Sequence, residues 1–170
     1  MSEQQRYDEL INRLRRDDLS SFDEIYALTS KAVYYAAYVV FYDKPTAEDI
    51  LQETYVTLLE KKGKLRPGID LPAYLVTIAK NKAYDLYMKR KKEHHLEEEL
   101  HADPAELPMD SGLLQTIREN LNEKEYEVFT LRVLGEYSFK EISKMKGIPT
   151  GTLTWLYQEA RKKLATALGE

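Results

Sequence analysis

The side chains that could do chemistry in this sequence are cations and aromatic rings. From residue 78 to residue 92 stand six cations (Lys80, Lys82, Lys89, Arg90, Lys91, Lys92) against one acid, Asp85, with Tyr74, Tyr84 and Tyr87 close by. Ammonium and guanidinium groups hold phosphates and tyrosine rings offer stacking faces, so the combination suits single-stranded nucleic acid. A structural role fits the same residues: tyrosines can pack at a core boundary, and cations at a helix end complement its dipole. Residues 93–110 then carry seven acids (Glu93, Glu97, Glu98, Glu99, Asp103, Glu106, Asp110) and neither Lys nor Arg. The net charge of −4 hides this juxtaposition, since a nucleic-acid binder is ordinarily basic overall.

Enzymatic chemistry has no counterpart here. The chain has no cysteine, hence no thiol nucleophile and no disulfide or cysteine-based metal site. His94 and His95 are adjacent and point to different helix faces, and His101 completes no ligand spacing, so all three read as solvated and no metal is expected. The carboxylates of residues 97–110 are too clustered and solvated to work as an acid–base pair. No glycine-rich phosphate loop is visible, so no cofactor is expected. The start, Met1-Ser-Glu-Gln-Gln5, lacks an apolar stretch behind a basic end, so no signal peptide is expected. The longest apolar run, residues 32–42, is too short to span a bilayer and holds four tyrosines. A cytoplasmic location without membrane insertion follows.

The elements that must position these residues are helical nearly throughout, with no sustained alternation and no Asn-Gly or Asp-Gly hairpin signal. Helices are expected over residues 4–15, 22–41 (capped by Ser20 or Ser21), 46–61 and 71–92, the third capped by Thr46 after Asp43-Lys-Pro45 breaks the chain. Glu48 and Asp49 would then sit in that helix's first turn, where its dipole favours them. Gly63, Pro67 and Gly68 mark a loop. The acidic stretch with Pro104 and Pro108 reads as a linker. Beyond it, helices are expected over 112–121, 123–134, 139–146 and 150–168, with Ser111, Asn122, Ser138 and Thr150 as caps. The fold class is therefore all-α, two small helical domains joined by an acidic linker: residues 1–96, linker 97–111, and residues 112–170. Each unit is small enough to be marginally stable alone.

Two constellations stand out on these helices. Residues 139–164 place a short helix, a turn at Gly147-Ile148-Pro149 and a longer helix in the helix-turn-helix pattern. Ile142 and Ile148 flank the turn, Ser143 is small where the helices cross, and Leu153, Tyr157, Ala160 and Leu164 recur along one face. In such a unit the second helix enters the major groove, and Thr150, Gly151 and Thr152 present free N–H groups at its start. An ordinary helical hairpin with a core stripe fits the same spacing. Separately, Asp49, Gln52 and Glu53 share one helix face. By pattern alone that face is either a binding surface or a solvated acidic stripe.

These segments resemble the sigma-70 family of bacterial RNA polymerase sigma factors. Residues 137–164, YSFKEISKMKGIPTGTLTWLYQEARKKL, resemble its DNA-binding region four, introduced by LNEKEYEVFTLRVLGEYS. Phe22-Asp-Glu-Ile-Tyr26 resembles the start of region two. Ala47-Glu-Asp-Ile-Leu-Gln-Glu-Thr54 is similar to its polymerase-binding segment, and Pro72-Ala-Tyr-Leu-Val-Thr-Ile-Ala-Lys-Asn-Lys-Ala-Tyr-Asp85 to its promoter-melting segment. Four motifs in the family's order, without a further domain, point to the extracytoplasmic-function (ECF) group. The resemblance implies a non-enzymatic protein whose partners are core RNA polymerase and promoter DNA, with an anti-sigma factor as a further candidate. It assigns Asp49, Gln52 and Glu53 to polymerase. Lys64, Arg66, Asn81, Lys82, Asp85, Lys89 and Arg90 fall to the downstream (minus-10) element. Thr150, Thr152, Thr154, Trp155, Gln158 and Arg161 fall to the upstream (minus-35) element. It also implies that the acidic linker runs near the RNA exit path.

The recognition helix departs from the family's pattern. Basic residues and a serine are usual where this chain has Thr154, Trp155 and Leu156, and another basic residue where it has Glu159. Each lost phosphate contact lowers affinity and its salt dependence. Residues 112–170 hold nine cations and eight acids, a net of +1. Two expectations follow: Trp155 and Leu156 either touch thymine methyls of an atypical upstream element, or form an apolar patch for a protein partner.

Overall fold

The computed structural model describes residues 1–93 and 111–169, and those residues form eight α-helices and no strand. The expected linker, 97–111, thus lies outside the described residues apart from its last, and so do His94, His95 and His101.

The first four helices are α1 (Glu3–Arg15), α2 (Leu19–Phe41), α3 (Lys44–Lys61) and α4 (Leu71–Lys92), with a 3₁₀ turn at Lys62–Lys64. Ser2 and Gln5 form a capping box at α1, which buries Tyr7, Leu10, Ile11 and Leu14. Helix α2 is the centre of the molecule. Every residue from 33 to 40 is buried, and α1, α3, α4 and α6 (Glu123–Val133) all pack against it. A helix that is apolar around its whole circumference needs cover on all sides. That requirement explains the apolar run of residues 32–42.

In this half, two caps differ from expectation. Asp18, rather than Ser20 or Ser21, caps α2, its carboxylate accepting from the Ser20 N–H at 3.1 Å. Asp43, rather than Thr46, caps α3 and accepts from the Thr46 N–H at 3.1 Å. Pro45 therefore lies inside the first turn of α3, where its missing N–H costs nothing. Glu48 and Asp49 fall beyond that turn.

The second half comprises α5 (Ser111–Asn120), α6, α7 (Phe139–Lys146) and α8 (Thr150–Ala167). Capping boxes at Asn122/Glu125 and Ser138/Glu141 start α6 and α7. Gly147 takes the left-handed φ of 72° that ends α7. Helix α8 starts at Thr150 behind Pro149, without a side-chain cap, so Thr150 is its first helical residue rather than its cap. It packs on α5, α6 and α7, burying Leu153, Leu156, Ala160 and Leu164.

The halves close on each other. Tyr137 donates its hydroxyl to the Ala36 carbonyl at 2.5 Å, and the Tyr42 and Thr130 hydroxyls are 2.7 Å apart. Gly135 is needed for room: a Cβ there would stand 2.5 Å from Val39 Cγ2 and 2.8 Å from the Tyr137 ring. Lys80 of α4 donates to the Glu141 carboxylate at 2.7 Å and to the Glu136 carbonyl at 2.9 Å. Glu136 itself takes a left-handed φ of 60°.

Within the second half, Glu125 is the pin. Its carboxylate, 3% exposed, accepts from Lys163 with both oxygens at 2.7 and 2.8 Å and from the Asn122 N–H at 3.0 Å. Burial pushes its pKa up, but the Lys163 and Asn122 hydrogen bonds and the Lys163 charge outweigh it, leaving Glu125 below the ordinary glutamate range. A lowered carboxylate stabilises above its unfolded pKa of about 4.3, and the contribution disappears as pH falls through the folded value. Glu125→Ala should cost about 1–2 kcal/mol in urea unfolding at neutral pH, through the lost hydrogen bonds to Asn122 and Lys163. Glu125→Gln, which keeps the cap, should flatten the loss of stability on acidification below about pH 5.

Candidate nucleic-acid interface

Helix α3 presents one face to solvent and buries the other. Thr46, Ala47, Ile50, Leu51, Thr54, Tyr55 and Leu58 face the core, and α2 and α4 cover them. Asp49, Gln52 and Glu53 are all exposed, with exposed Val56 one turn on. The offsets of three and four residues make this a single acidic face.

The turn after α3 places Lys64 and Arg66 at the surface. Arg66 folds back, donating to the carbonyls of Gly63 at 3.0 Å and Leu65 at 2.8 Å. On α4, Asn81, Asp85 and Lys89 are exposed and Lys82 is half-buried. Arg90 departs from the expectation of a free phosphate ligand. Its guanidinium stacks on the Phe41 ring at 4.9 Å and donates to the Thr46 hydroxyl at 3.2 Å, tying α4 to the α2–α3 junction. The tyrosines also differ from free stacking platforms. Tyr87 is buried beside Phe41, and Tyr74 and Tyr84 are half-buried.

Sequence reasoning counted Lys80 in the basic block but gave it no role. Its side chain is only 13% exposed, because α7 covers it. Lys144 and Lys146 lie over the rings of Tyr84 and Tyr87, at 5.1 and 4.5 Å. A cleft of about 130 Å³ remains there, lined from both halves by Lys80, Asn81, Tyr84, Tyr137, Glu141, Lys144 and Met145. The i, i+4, i+7 spacing of Lys80, Tyr84 and Tyr87 was the signal available in the sequence.

In the helix-turn-helix, Thr150, Thr152, Thr154, Gln158 and Arg161 are exposed on α8, and Trp155 is 60% exposed. Leu156 is 6% exposed and part of the core, which corrects the expectation of a Trp155–Leu156 surface. A residue between Leu153 and Ala160 on the inward stripe has no route to solvent. Glu159 pairs with Lys162 at 3.5 Å on its own helix.

A helix-turn-helix with an open recognition helix is the geometry of a DNA-binding protein of the helix-turn-helix class. The comparisons narrow the class. Residues 25–93 match the family model for sigma-70 region 2, and residues 111–164 that for sigma-70 region 4. The ECF RNA polymerase sigma factor BldN of Streptomyces coelicolor is 30% identical, across 98% of this chain and 67% of that protein. The RNA polymerase sigma factor CarQ of Myxococcus xanthus is 27% identical, across 94% of this chain and 96% of that protein. In fold, the chain is similar to the sigma factor RpoE of Bartonella quintana, solved with the anti-sigma factor NepR. That match has a TM-score of 0.52 and 23% identity, over 87% of this chain and 96% of the other. The chain belongs to the ECF group of the sigma-70 family of RNA polymerase sigma factors. Among the described residues, no helix is long and apolar enough to cross a membrane.

Two neighbouring cations should separate structural from surface roles. Arg90→Ala should lower the unfolding free energy by about 1–2 kcal/mol, through the lost ring contact and hydrogen bond. Lys89→Ala should leave it within about 0.5 kcal/mol of the parent. Thermal unfolding followed by circular dichroism reads both.

Proposed function

We propose that this chain binds core RNA polymerase and directs promoter-specific initiation of transcription in the cytoplasm, with no catalysis of its own. The observation that carries the reading is the α3 face. Asp49, Gln52 and Glu53 stand exposed together on a helix whose opposite face is locked into α2 and α4. A rigid acidic face suits docking onto a large partner, since little side-chain or backbone order remains to be imposed on binding. In this reading residues 1–96 dock on polymerase and open the downstream element, residues 97–111 link, and residues 112–170 engage the upstream element.

Lys64, Arg66, Asn81, Lys82, Asp85 and Lys89 would line the path of the downstream strand. Lys64, Lys82 and Lys89 would supply phosphate contacts, and Arg66 would reach a phosphate once released from its own carbonyls. Arg90, held by Phe41 and Thr46, would set the angle of α4. At the upstream element, the Thr150 and Thr152 N–H groups at the start of α8 suit a phosphate, and Thr154, Trp155, Gln158 and Arg161 face outward toward base edges and backbone.

In-vitro transcription with core polymerase from the same host and sheared genomic DNA, with RNA 5′ ends mapped, should give discrete starts sharing an upstream sequence. Replacing Asp49, Gln52 and Glu53 together by Ala should weaken co-elution with core more than about tenfold, because several central contacts go at once. Failure of the parent chain to co-elute would sink the reading.

The exposure of Trp155 favours one second reading, a sigma-like regulator whose α8 binds a protein of the anti-sigma kind. Trp155→Ala separates the two. Loss of the upstream footprint supports promoter reading, whereas an intact footprint with loss of partner capture supports the alternative.

A further inference from the structure

We propose that α1 belongs to the downstream-element site: Asp8, with Gln4 and Asp17 beside it, is a positioning residue that fixes the shape in which residues 62–70 offer Lys64 and Arg66. The proposal rests on the sigma-factor reading for the role of those two cations. The clamp itself stands on contacts between α1 and the loop.

By its core residues α1 is a packing helix, with Tyr7, Leu10, Ile11 and Leu14 turned inward. Its flank holds the loop. Gln4 and Asp8 are one turn apart, so their side chains meet. Asp8 Oδ1 accepts from the Gly68 N–H at 2.7 Å and from the Gln4 amide at 2.8 Å. The Gln4 amide also donates to the Ile69 carbonyl at 2.8 Å. The two side chains thus hold the N–H of one loop residue and the carbonyl of the next. The Asp8 bond fastens the loop where it turns, at Gly68 with its φ of 100°. A carboxylate accepting from an N–H makes a stronger bond than a neutral acceptor.

The start of the loop is held from the exit of the same helix. Lys62 donates to Asp17, which follows α1 with a left-handed φ of 63°. Such a conformation is uncommon for a side-chain-bearing residue, and here it accompanies a carboxylate aimed at Lys62. Between these ends Leu65 is buried. The loop is therefore pinned at 62, 65 and 68–69, while Gly63, Lys64, Arg66 and Pro67 stay outward. Arg66 takes its place from the loop backbone, through the Gly63 and Leu65 carbonyls, so the shape of the loop decides where the guanidinium stands. A pinned loop has little order left to acquire on meeting a strand. A loop that spends only part of its time in the competent shape loses affinity by that fraction. Asp8 is half-buried at the edge of the bundle, so removing its carboxylate loosens the loop without emptying the core.

Three variants of the full chain test this. Asp8→Ala removes the acceptor, Asp8→Asn keeps an oxygen for the Gly68 N–H, and Glu9→Ala removes an exposed carboxylate at the next position as a control. Hydrogen exchange read by mass spectrometry should rise about tenfold across residues 65–70 in Asp8→Ala and stay near the parent's in the other two. With core polymerase on a promoter taken from the mapped starts, permanganate reactivity of unpaired thymines reads opening, and the footprint reads upstream binding. At limiting holoenzyme Asp8→Ala should open about three- to tenfold less promoter with an unchanged upstream footprint, and Asp8→Asn should restore opening. Exchange at the parent's rate in Asp8→Ala would overturn the clamp. Faster exchange with full opening, or an equal loss of the upstream footprint, would overturn the positioning role. Opening that stays low in Asp8→Asn after exchange has recovered would do the same. Failure of the sigma-factor reading appears elsewhere, in a parent chain that neither co-elutes with core nor opens a promoter, while the exchange still reads the clamp.

Discussion

The structure depends on burying one helix on every side. The second half of α2 is apolar all round, with tyrosines at 34, 35 and 38 and Tyr42 closing its end, and no single neighbour can cover it. Helices α1, α3 and α4 cover part of it, and α6 is drawn in over the rest. Apolar area removed from water contributes roughly 25 cal/mol per Å², so leaving this circumference exposed would cost more than the seam's few hydrogen bonds supply. The polar contacts of the seam, from Tyr137 to Ala36 and from Tyr42 to Thr130, serve to satisfy hydroxyls that the burial would otherwise strand.

Once α2 is central, the positions of the functional surfaces follow. Helix α3 must turn its apolar side inward, which leaves Asp49, Gln52 and Glu53 outward. Helix α4 lies between α2 and the second half, so its outer stripe is shared between solvent and α7. Helix α8 is tied to α6 by Lys163, which reaches from the surface to the buried Glu125 carboxylate, and keeps one side free. A deep cap-and-ion-pair contact of this kind holds a helix at a defined angle, because a displaced Glu125 would leave a buried charge unpaired.

Much of this was legible in the sequence, because local rules decided it. Helical periodicity, the caps Asn122 and Ser138, and the glycine turn at Gly147 are set within a few residues of chain. The caps at Asp18 and Asp43 were misread because several competent oxygens stand close together, and the path of the entering chain chooses among them. Pro45 read as a breaker although the first turn of a helix tolerates it. What the sequence hid was contact between distant segments. Nothing near Arg90 announces Phe41 and Thr46, nothing near Lys80 announces Glu141, and Leu156 looked like surface until its neighbours on the inward stripe fixed the rotation of α8. The roles suggested for the promoter-facing residues came from family resemblance; by pattern alone the tyrosines could be core packing, Lys89 to Lys92 a basic helix end, and Asp49, Gln52 and Glu53 a solvated acidic stripe.

The seam has a rim and a floor of different character. At the rim, Lys80–Glu141 and the Lys144–Tyr84 contact are partly open to water, where dissolved ions shorten the reach of charge to about 10 Å at moderate salt. At the floor, the Tyr137 hydroxyl and the Val39–Gly135 contact are closed off, and added ions do not reach them. Ionic strength therefore loosens the rim while the floor stays closed, so the seam behaves as a hinge whose opening edge answers to the ionic medium and whose axis does not.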